Sequence, residues 1–196
     1  MIDMERTSSI HECMERLKTA CMRLWDEFND SKSWFNDPIT EEQLRKFEQK
    51  TKIVLPEEYK EFLRFSNGAQ IKQRRGLFYK LEEIRTEYGI PDHYIVIAET
   101  VGDGERMVLS ELDGQIYLYF NGRIEQCDLH WWLDCTLDQC ENLIDSYEIK
   151  AERENLRKAG ITEEQEEYEL WAAILGEKRA KEIMEEKKKR KEGNKK

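Results

Sequence analysis

Hydrophobic positions in the first third of the chain follow a helical period. A Ser9-x-x-Glu12 capping box precedes the first apolar stripe, and a second box of the same kind begins at Thr40. Pro56, which favours the first turn of a helix, precedes a third stripe that stops at Gly68. The predicted helices are residues 10 to 29, about 40 to 50, and 56 to 66.

Beyond residue 68 the hydrophobic period changes from helical to two, which predicts β-strands. Asp113-Gly114 and Asn121-Gly122 are two-residue turns of the type that joins antiparallel strands, and each lies between two β-prone runs. The sequence therefore predicts an antiparallel meander. Its strands are expected at residues 77–81, 94–98, 106–112, 115–120 and 123–127.

A closing helix is predicted after the meander, starting at a Thr136-x-x-Gln139 capping box and persisting toward Leu156. Another capping sequence starts a further helix near residue 162, and the chain ends in a basic segment that is expected to fray. The predicted fold is α+β: N-terminal helices, a curled antiparallel meander, a closing helix and a charged helical extension. The predicted parts are an amphipathic helix in residues 1–33 packed on the core, an α+β domain in residues 34–150, and the extension in residues 151–196.

Charge is distributed unevenly between these parts. Residues 1–150 carry 19 Lys and Arg against 30 Asp and Glu, a net charge of −11, whereas residues 151–196 carry 13 against 12, a net charge of +1. An acidic domain repels phosphate backbones and attracts basic proteins. The sequence therefore predicts no direct nucleic-acid binding by the core domain and favours a basic protein partner.

Targeting signals and cysteine usage predict a cytoplasmic protein. No apolar run approaches the roughly 20 residues that cross a bilayer, and the N-terminus lacks the pattern of a signal peptide. Five cysteines without C-x-x-C spacing fit reduced thiols better than a disulfide framework. We expect no membrane association, and the sequence leaves the oligomeric state open.

Candidate chemistry is sparse, which predicts a protein that is not an enzyme and uses no cofactor. No nucleophile motif accompanies any of the three histidines. Cys127, His130, Cys135 and Cys140 are four potential zinc ligands, but their spacing is unlike that of known zinc sites. Burial of the thiols as small apolar groups is the favoured interpretation, so no metal is expected.

The adjacent tryptophans Trp131 and Trp132 form the most ambiguous cluster. Placed on a loop or strand, as the pattern of residues 130–133 indicates, two neighbouring side chains cannot both face the same core. One of them is therefore expected to be exposed. That side chain either anchors a partner, since tryptophan is enriched at the energetic centres of interfaces, or packs under the first helix.

Several segments taken together resemble the SUKH superfamily, which includes Smi/Knr-type regulators of cell-wall assembly and bacterial immunity proteins that neutralise polymorphic toxins. The resemblance covers about residues 34 to 147 and implies helices, a curled antiparallel sheet and a closing helix. Taken alone, the Leu55–Tyr59 run is ordinary helix-start chemistry rather than a site. The segments that carry the resemblance are Ile39-Thr40 to Phe47-Glu48, Leu55-Pro56-Glu57-Glu58-Tyr59-Lys60 with Phe62-Leu63, Asn67-Gly68, and Gly102-Asp103-Gly104 leading into the strand from Arg106.

The resemblance implies an immunity protein that binds and occludes a toxin. A regulatory scaffold for signalling or wall-assembly proteins is the main alternative, and a small-ligand sensor is a lesser one. Acidic side chains on turns and polar strand faces would steer a basic toxin domain, and the exposed tryptophan would anchor it. The candidate partner-binding residues are Asp103, Glu105, Asp113, Glu125, Asp128, Trp131 and Trp132. If these five carboxylates do not contribute to binding, the next candidates are the helical faces at Glu41, Glu42, Glu57 and Glu58.

Overall fold

A computed structural model describes residues 9–87, 89–102, 104–160 and 162–193. The chain divides into two compact units, Met1–Ile144 and Asp145–Lys196. The first unit combines three helices, a seven-stranded sheet and the start of a fourth helix, which confirms the α+β class. The second unit is helical throughout its described secondary structure.

Three helices precede most of the sheet and start where their capping residues predict. The Ser9 and Thr40 hydroxyls both accept a backbone N–H three residues on, and Glu12 and Gln43 bond back to the cap residues, which completes two capping boxes. Pro56 caps the third helix without a side-chain hydrogen bond. The helices are α1 (Ile10–Phe28), α2 (Glu41–Thr51) and α3 (Glu57–Phe65).

Seven antiparallel strands form one sheet in which spatial order follows chain order. The predicted meander is confirmed, and Asn121-Gly122 adopts positive φ at both residues of its turn, as a tight hairpin requires. The two-residue turn predicted at Asp113-Gly114 is wrong, because β5 ends at Ser110 and these residues close a longer loop. The strands are β1 (Trp34–Phe35), β2 (Ala69–Ile71), β3 (Gly76–Phe78), β4 (Tyr94–Thr100), β5 (Arg106–Ser110), β6 (Ile116–Phe120) and β7 (Arg123–Gln126).

The two faces of the sheet pack against different parts of the first unit. On one face Phe78 packs against Phe62 of α3, with ring centroids 4.6 Å apart and the rings tilted by 33°. On the other, Val96 and Val108 are fully buried beneath Tyr79 and neighbouring aromatic side chains. Both faces therefore carry apolar cover, and functional groups are confined to the edges, the strand ends and the exposed parts of β6 and β7.

The fourth helix, α4 (Leu129–Lys158), starts seven residues earlier than predicted. The loop or strand expected around Trp131 and Trp132 is wrong, because both residues lie in the first turn of α4. Thr136 does not cap a helix: its hydroxyl donates to the Trp132 carbonyl at 2.8 Å within α4. Because Trp132 is buried against the sheet, α4 begins at Leu129, before the Thr136-x-x-Gln139 pattern.

The second unit contains the end of α4 and two further helices. The Thr162 hydroxyl and the Gln165 side chain form a third complete capping box at the start of α5. Two lysines of the last helix pair with glutamates of α5, Lys188 with Glu164 and Lys187 with Glu167. The two helices are α5 (Glu163–Leu175) and α6 (Glu177–Gly193).

Candidate partner-binding surface

A cleft of about 570 Å³ opens where α3 begins, β7 ends and β6 begins. Pro56 is the cap of α3, and Asp128 directly precedes α4, so the amino ends of both helices border the cleft. The positive ends of the two helix dipoles favour carboxylates at this position. The lining residues are Pro56, Glu58, Gln115, Gln126, Cys127 and Asp128.

Among the predicted site residues, Asp128 is the one that lines the cleft. Its Oδ1 atom accepts the backbone N–H of Trp131 at 3.0 Å, and its carbonyl accepts the N–H of Trp132 at 3.0 Å. This is the N-cap geometry of α4. Asp128 therefore has a structural role as well as a place in the cleft wall.

The cap at Asp128 yields a stability prediction. Replacement by alanine removes the acceptor of the Trp131 N–H and is expected to lower the free energy of unfolding by about 1 kcal/mol. Asp128→Asn keeps the acceptor and removes the charge, so it is expected to lose only a few tenths of a kcal/mol. Urea unfolding followed by circular dichroism measures both. Equal losses in the two variants would contradict the cap assignment.

Asp113 lies at the β5–β6 turn, two residues before Gln115 of the cleft. Its Oδ2 atom accepts the Tyr117 hydroxyl at 2.7 Å, and its Oδ1 atom accepts the Gln115 N–H at 3.0 Å. These two hydrogen bonds, that of Tyr117 first, lower the pKa of the exposed Asp113 carboxyl. Asp113 thus adds a negative charge beside the cleft at neutral pH.

Two other predicted residues lie apart from the cleft lining. Glu105 precedes β5 at the opposite end of that strand from Asp113, and its Oε2 atom accepts the Thr100 hydroxyl at 2.9 Å. Glu125 is exposed on β7, paired with Leu118 of β6. Asp103 lies outside the described residues. The predicted acidic face is therefore divided between two ends of the sheet.

The tryptophan pair is divided between surface and core. Trp131 is 57% exposed, whereas Trp132 is 3% exposed, and its ring meets Phe78 edge-on at 5.3 Å. Trp132 therefore belongs to the core. Trp131 lies in the same helical turn that Asp128 caps, so an exposed aromatic side chain and a cleft carboxylate share one rigid element.

Cys127 contributes a thiol to the cleft but no nucleophile. Burial is the main reason that its pKa rises to about 12, and the negative charges of Glu58 and Glu105 add to the rise. The thiol therefore stays protonated at neutral pH. Within the described part of the chain, Cys127 and the other candidate ligands do not come together with further groups into a cluster that could hold a metal ion.

Of the six described residues that line the cleft, Asp128 alone belongs to the predicted acidic face, and Glu58 was named only as a further candidate on a helical face. The sequence did not predict the other four as partner-binding residues: Pro56, Gln115, Gln126 and Cys127. Glu58 belongs to the Leu55–Tyr59 run, which reads as a helix start in the sequence and is one in the structure. The same run also forms a wall of the cleft. Because the Leu55–Tyr59 run carries the family resemblance, it could have indicated Glu58 as a site residue. The sequence contains no comparable motif at Gln115 or Gln126.

No described helix combines the length and the apolar composition that crossing a membrane requires. A comparison with curated proteins found no match. The sequence profile of the SMI1 / KNR4 family (SUKH-1) matches residues 38–173, which include α2, α3, the sheet from β2 onward, the cleft and most of α5. On the strength of this match over more than half its length, the chain belongs to the SMI1 / KNR4 family (SUKH-1).

Proposed function

We propose that the chain is a non-catalytic immunity protein of the cytoplasm that binds a basic toxin domain and occludes its working surface. The observation that carries the proposal is the cleft, whose wall includes Glu58 in the first turn of α3 and Asp128 at the N-cap of α4. Membership of the SMI1 / KNR4 family supports the type of domain. The net charge of −11 over residues 1–150 supports a partner of opposite charge.

The chemistry of the cleft suits a lysine or arginine side chain from the partner. The Glu58 and Asp128 carboxylates supply acceptors for charge-assisted hydrogen bonds, and the amides of Gln115 and Gln126 supply both donors and acceptors. A volume of about 570 Å³ accommodates such a side chain together with water. Because the Cys127 thiol stays neutral, it adds no competing charge.

Trp131 would anchor the same partner beside the cleft. More than half of this side chain is exposed, and the Asp128 cap fixes the turn that carries it. Buried tryptophans dominate the energetics of many interfaces because they cover a large apolar area at small conformational cost. Occlusion by this surface needs no chemistry from the immunity protein.

The test uses two matched pairs of charge-removing substitutions. Glu58→Gln with Asp128→Asn neutralises the cleft, whereas Glu15→Gln with Asp26→Asn removes the same charge from two exposed residues of α1 that do not line the cleft. The partner in this test is a basic toxin domain encoded beside the gene of this chain, if the genome carries one there. We expect both pairs of substitutions to lower the association rate. The cleft pair alone is expected to raise the dissociation rate, by about tenfold, because only the cleft pair removes direct contacts with the partner. Stopped-flow kinetics at 50 and 150 mM salt measure both rates.

For the unsubstituted chain, association is expected to be slower at 150 mM salt than at 50 mM salt, because salt screens the attraction between the acidic surface and a basic partner. Equal dissociation rates for the two matched pairs would refute the cleft as the contact site. A toxin domain that remains fully active in the complex would instead favour the regulatory scaffold of the Smi/Knr type. Absence of binding would refute the immunity function itself.

A further inference from the structure

Two pairs of a lysine and an exposed tryptophan lie at and beside the β1 edge of the sheet. The Lys72 ammonium lies 5.1 Å from the centroid of the Trp34 ring, and the Lys32 ammonium lies 5.5 Å from that of Trp25. Trp34 is 49% exposed and Trp25 is 40% exposed. We call Trp25, Lys32, Trp34 and Lys72 the edge patch.

Hydrogen bonds join the two chain segments that carry Lys32 and Lys72. The Ser33 hydroxyl accepts the Lys72 N–H at 2.9 Å and donates to Oε1 of Gln73 at 2.8 Å. The Gln73 amide in turn donates to the Ser31 carbonyl at 3.2 Å. The segment before β1 is therefore bonded to the short 3-10 helix, Lys72–Arg74, that joins β2 to β3.

Positive charge in the edge patch lacks a described counter-charge. Neither Lys32, Lys72 nor the neighbouring exposed Arg75 forms an ion pair with a carboxylate in the parts of the chain that the structure describes. Glu27, at the end of α1, is bonded to Arg23 at 2.9 Å. An anionic group from outside would meet these cations without displacing an internal salt bridge.

The backbone of β1 offers a further recognition element. The Asn36 N–H donates to the Gly68 carbonyl at 3.2 Å, which is one of the two bonds of a hydrogen-bonded pair, while the Gly68 N–H donates to the Ser66 carbonyl. In an antiparallel ladder such pairs alternate, so the N–H and C=O of Phe35 point away from β2. Since β1 is the terminal strand, these two groups face outward, and no described residue bonds them.

We infer that the edge patch binds an extended acidic segment of a protein partner, which adds alongside β1. Such a segment supplies backbone groups for Phe35, carboxylates for Lys32 and Lys72, and apolar area for the exposed tryptophans. The phosphates of a nucleic acid could pair with the lysines, but a nucleic acid has no peptide backbone to bond Phe35. The many acidic residues in the rest of the first unit would also repel its phosphates. The inference concerns a different surface from the cleft and does not rest on the proposed function.

The experiment uses the full chain and a fluorescein-labelled ten-residue peptide in which glutamate alternates with valine. Fluorescence anisotropy at low salt measures binding, and amide shifts in ¹⁵N NMR spectra locate it. We expect the largest shifts at Trp34 and Phe35. Lys32→Gln with Lys72→Gln is expected to weaken binding about fivefold, since each exposed ion pair contributes about 0.5 kcal/mol. Trp34→Ala is expected to weaken it by at least the same factor.

A matched control removes the same charge elsewhere. Lys50→Gln with Lys52→Gln changes two exposed lysines at the end of α2, and it is expected to alter affinity less than twofold. Equal weakening by the two lysine pairs would show non-specific attraction and overturn the inference. So would failure of the peptide to bind, or shifts centred away from β1. Tighter binding of a ten-nucleotide single-stranded DNA, weakened by the same variants, would assign the edge patch to nucleic acid instead.

Discussion

Replacement of Trp132 by alanine is expected to lower the free energy of unfolding of the first unit by about 3 to 5 kcal/mol, the usual cost of emptying a large aromatic site. The side chain is 3% exposed and packs edge-on against Phe78. It also fills the space above Gly76, where an added Cβ would lie 2.8 Å from the Trp132 ring. The cavity left by alanine therefore lies between α4 and the centre of the sheet.

Trp131→Ala is the matched control for this prediction, because it changes the same residue type one position earlier. Trp131 is 57% exposed, so its loss is expected to cost about 0.5 kcal/mol or less. Urea unfolding followed by far-ultraviolet circular dichroism compares the two variants with the parent. Similar losses in both would contradict the division of the pair into a core side chain and a surface anchor.

Gly68→Ala is expected to lower the free energy of unfolding by about 3 to 4 kcal/mol. Gly68 adopts a φ of +83°, which costs any L side chain about 1 to 2 kcal/mol. In addition, a Cβ would lie 2.8 Å from the Phe78 carbonyl oxygen and 3.0 Å from the Lys80 nitrogen. These are backbone atoms, so relief of the clash requires β2 and β3 to move apart.

Gly122→Ala separates the two contributions. Gly122 has a similar φ of +78°, but a Cβ there would meet nothing within 4 Å. Its replacement is therefore expected to cost only the conformational part, about 1 to 2 kcal/mol. The difference between the variants in thermal or urea unfolding gives the cost of the clash alone. A loss at residue 122 as large as that at residue 68 would refute the close approach of Gly68 to β3.

Local chemistry made most of the fold predictable. Capping boxes are patterns within four residues, so Ser9 and Thr40 located the starts of α1 and α2 from the sequence. Tight turns are equally local, and Asn121-Gly122 identified the β6–β7 hairpin. Where a boundary depends on neighbouring residues alone, pattern and structure agree.

Predictions failed where long-range packing decided the outcome. Strands β1 and β2 have two and three residues, too few for an alternating pattern to be seen. The Thr136-x-x-Gln139 pattern matched a capping box, yet burial of Trp132 placed the helix start at Leu129. Tertiary contacts override local preference in both cases.

The cleft was only partly predictable for a related reason. Asp128 was a candidate from its charge and its place after a strand, but Glu58 lies far from it in the chain and joins it only through the fold. Periodicity describes neighbours in sequence and carries no information on such pairs. The positive edge patch was missed because net charge averages Lys32 and Lys72 with the many acidic residues around them.

The sequential strand order has a consequence for how the chain folds. Each hairpin from β4 to β7 closes a short loop, whereas the Arg16–Glu141 ion pair between α1 and α4 joins residues 125 positions apart. Closing the longer loop costs roughly 3 kcal/mol more in chain entropy than closing a hairpin turn. The meander can therefore assemble while the chain is still being synthesised, and docking of the first helix onto the fourth completes the unit last.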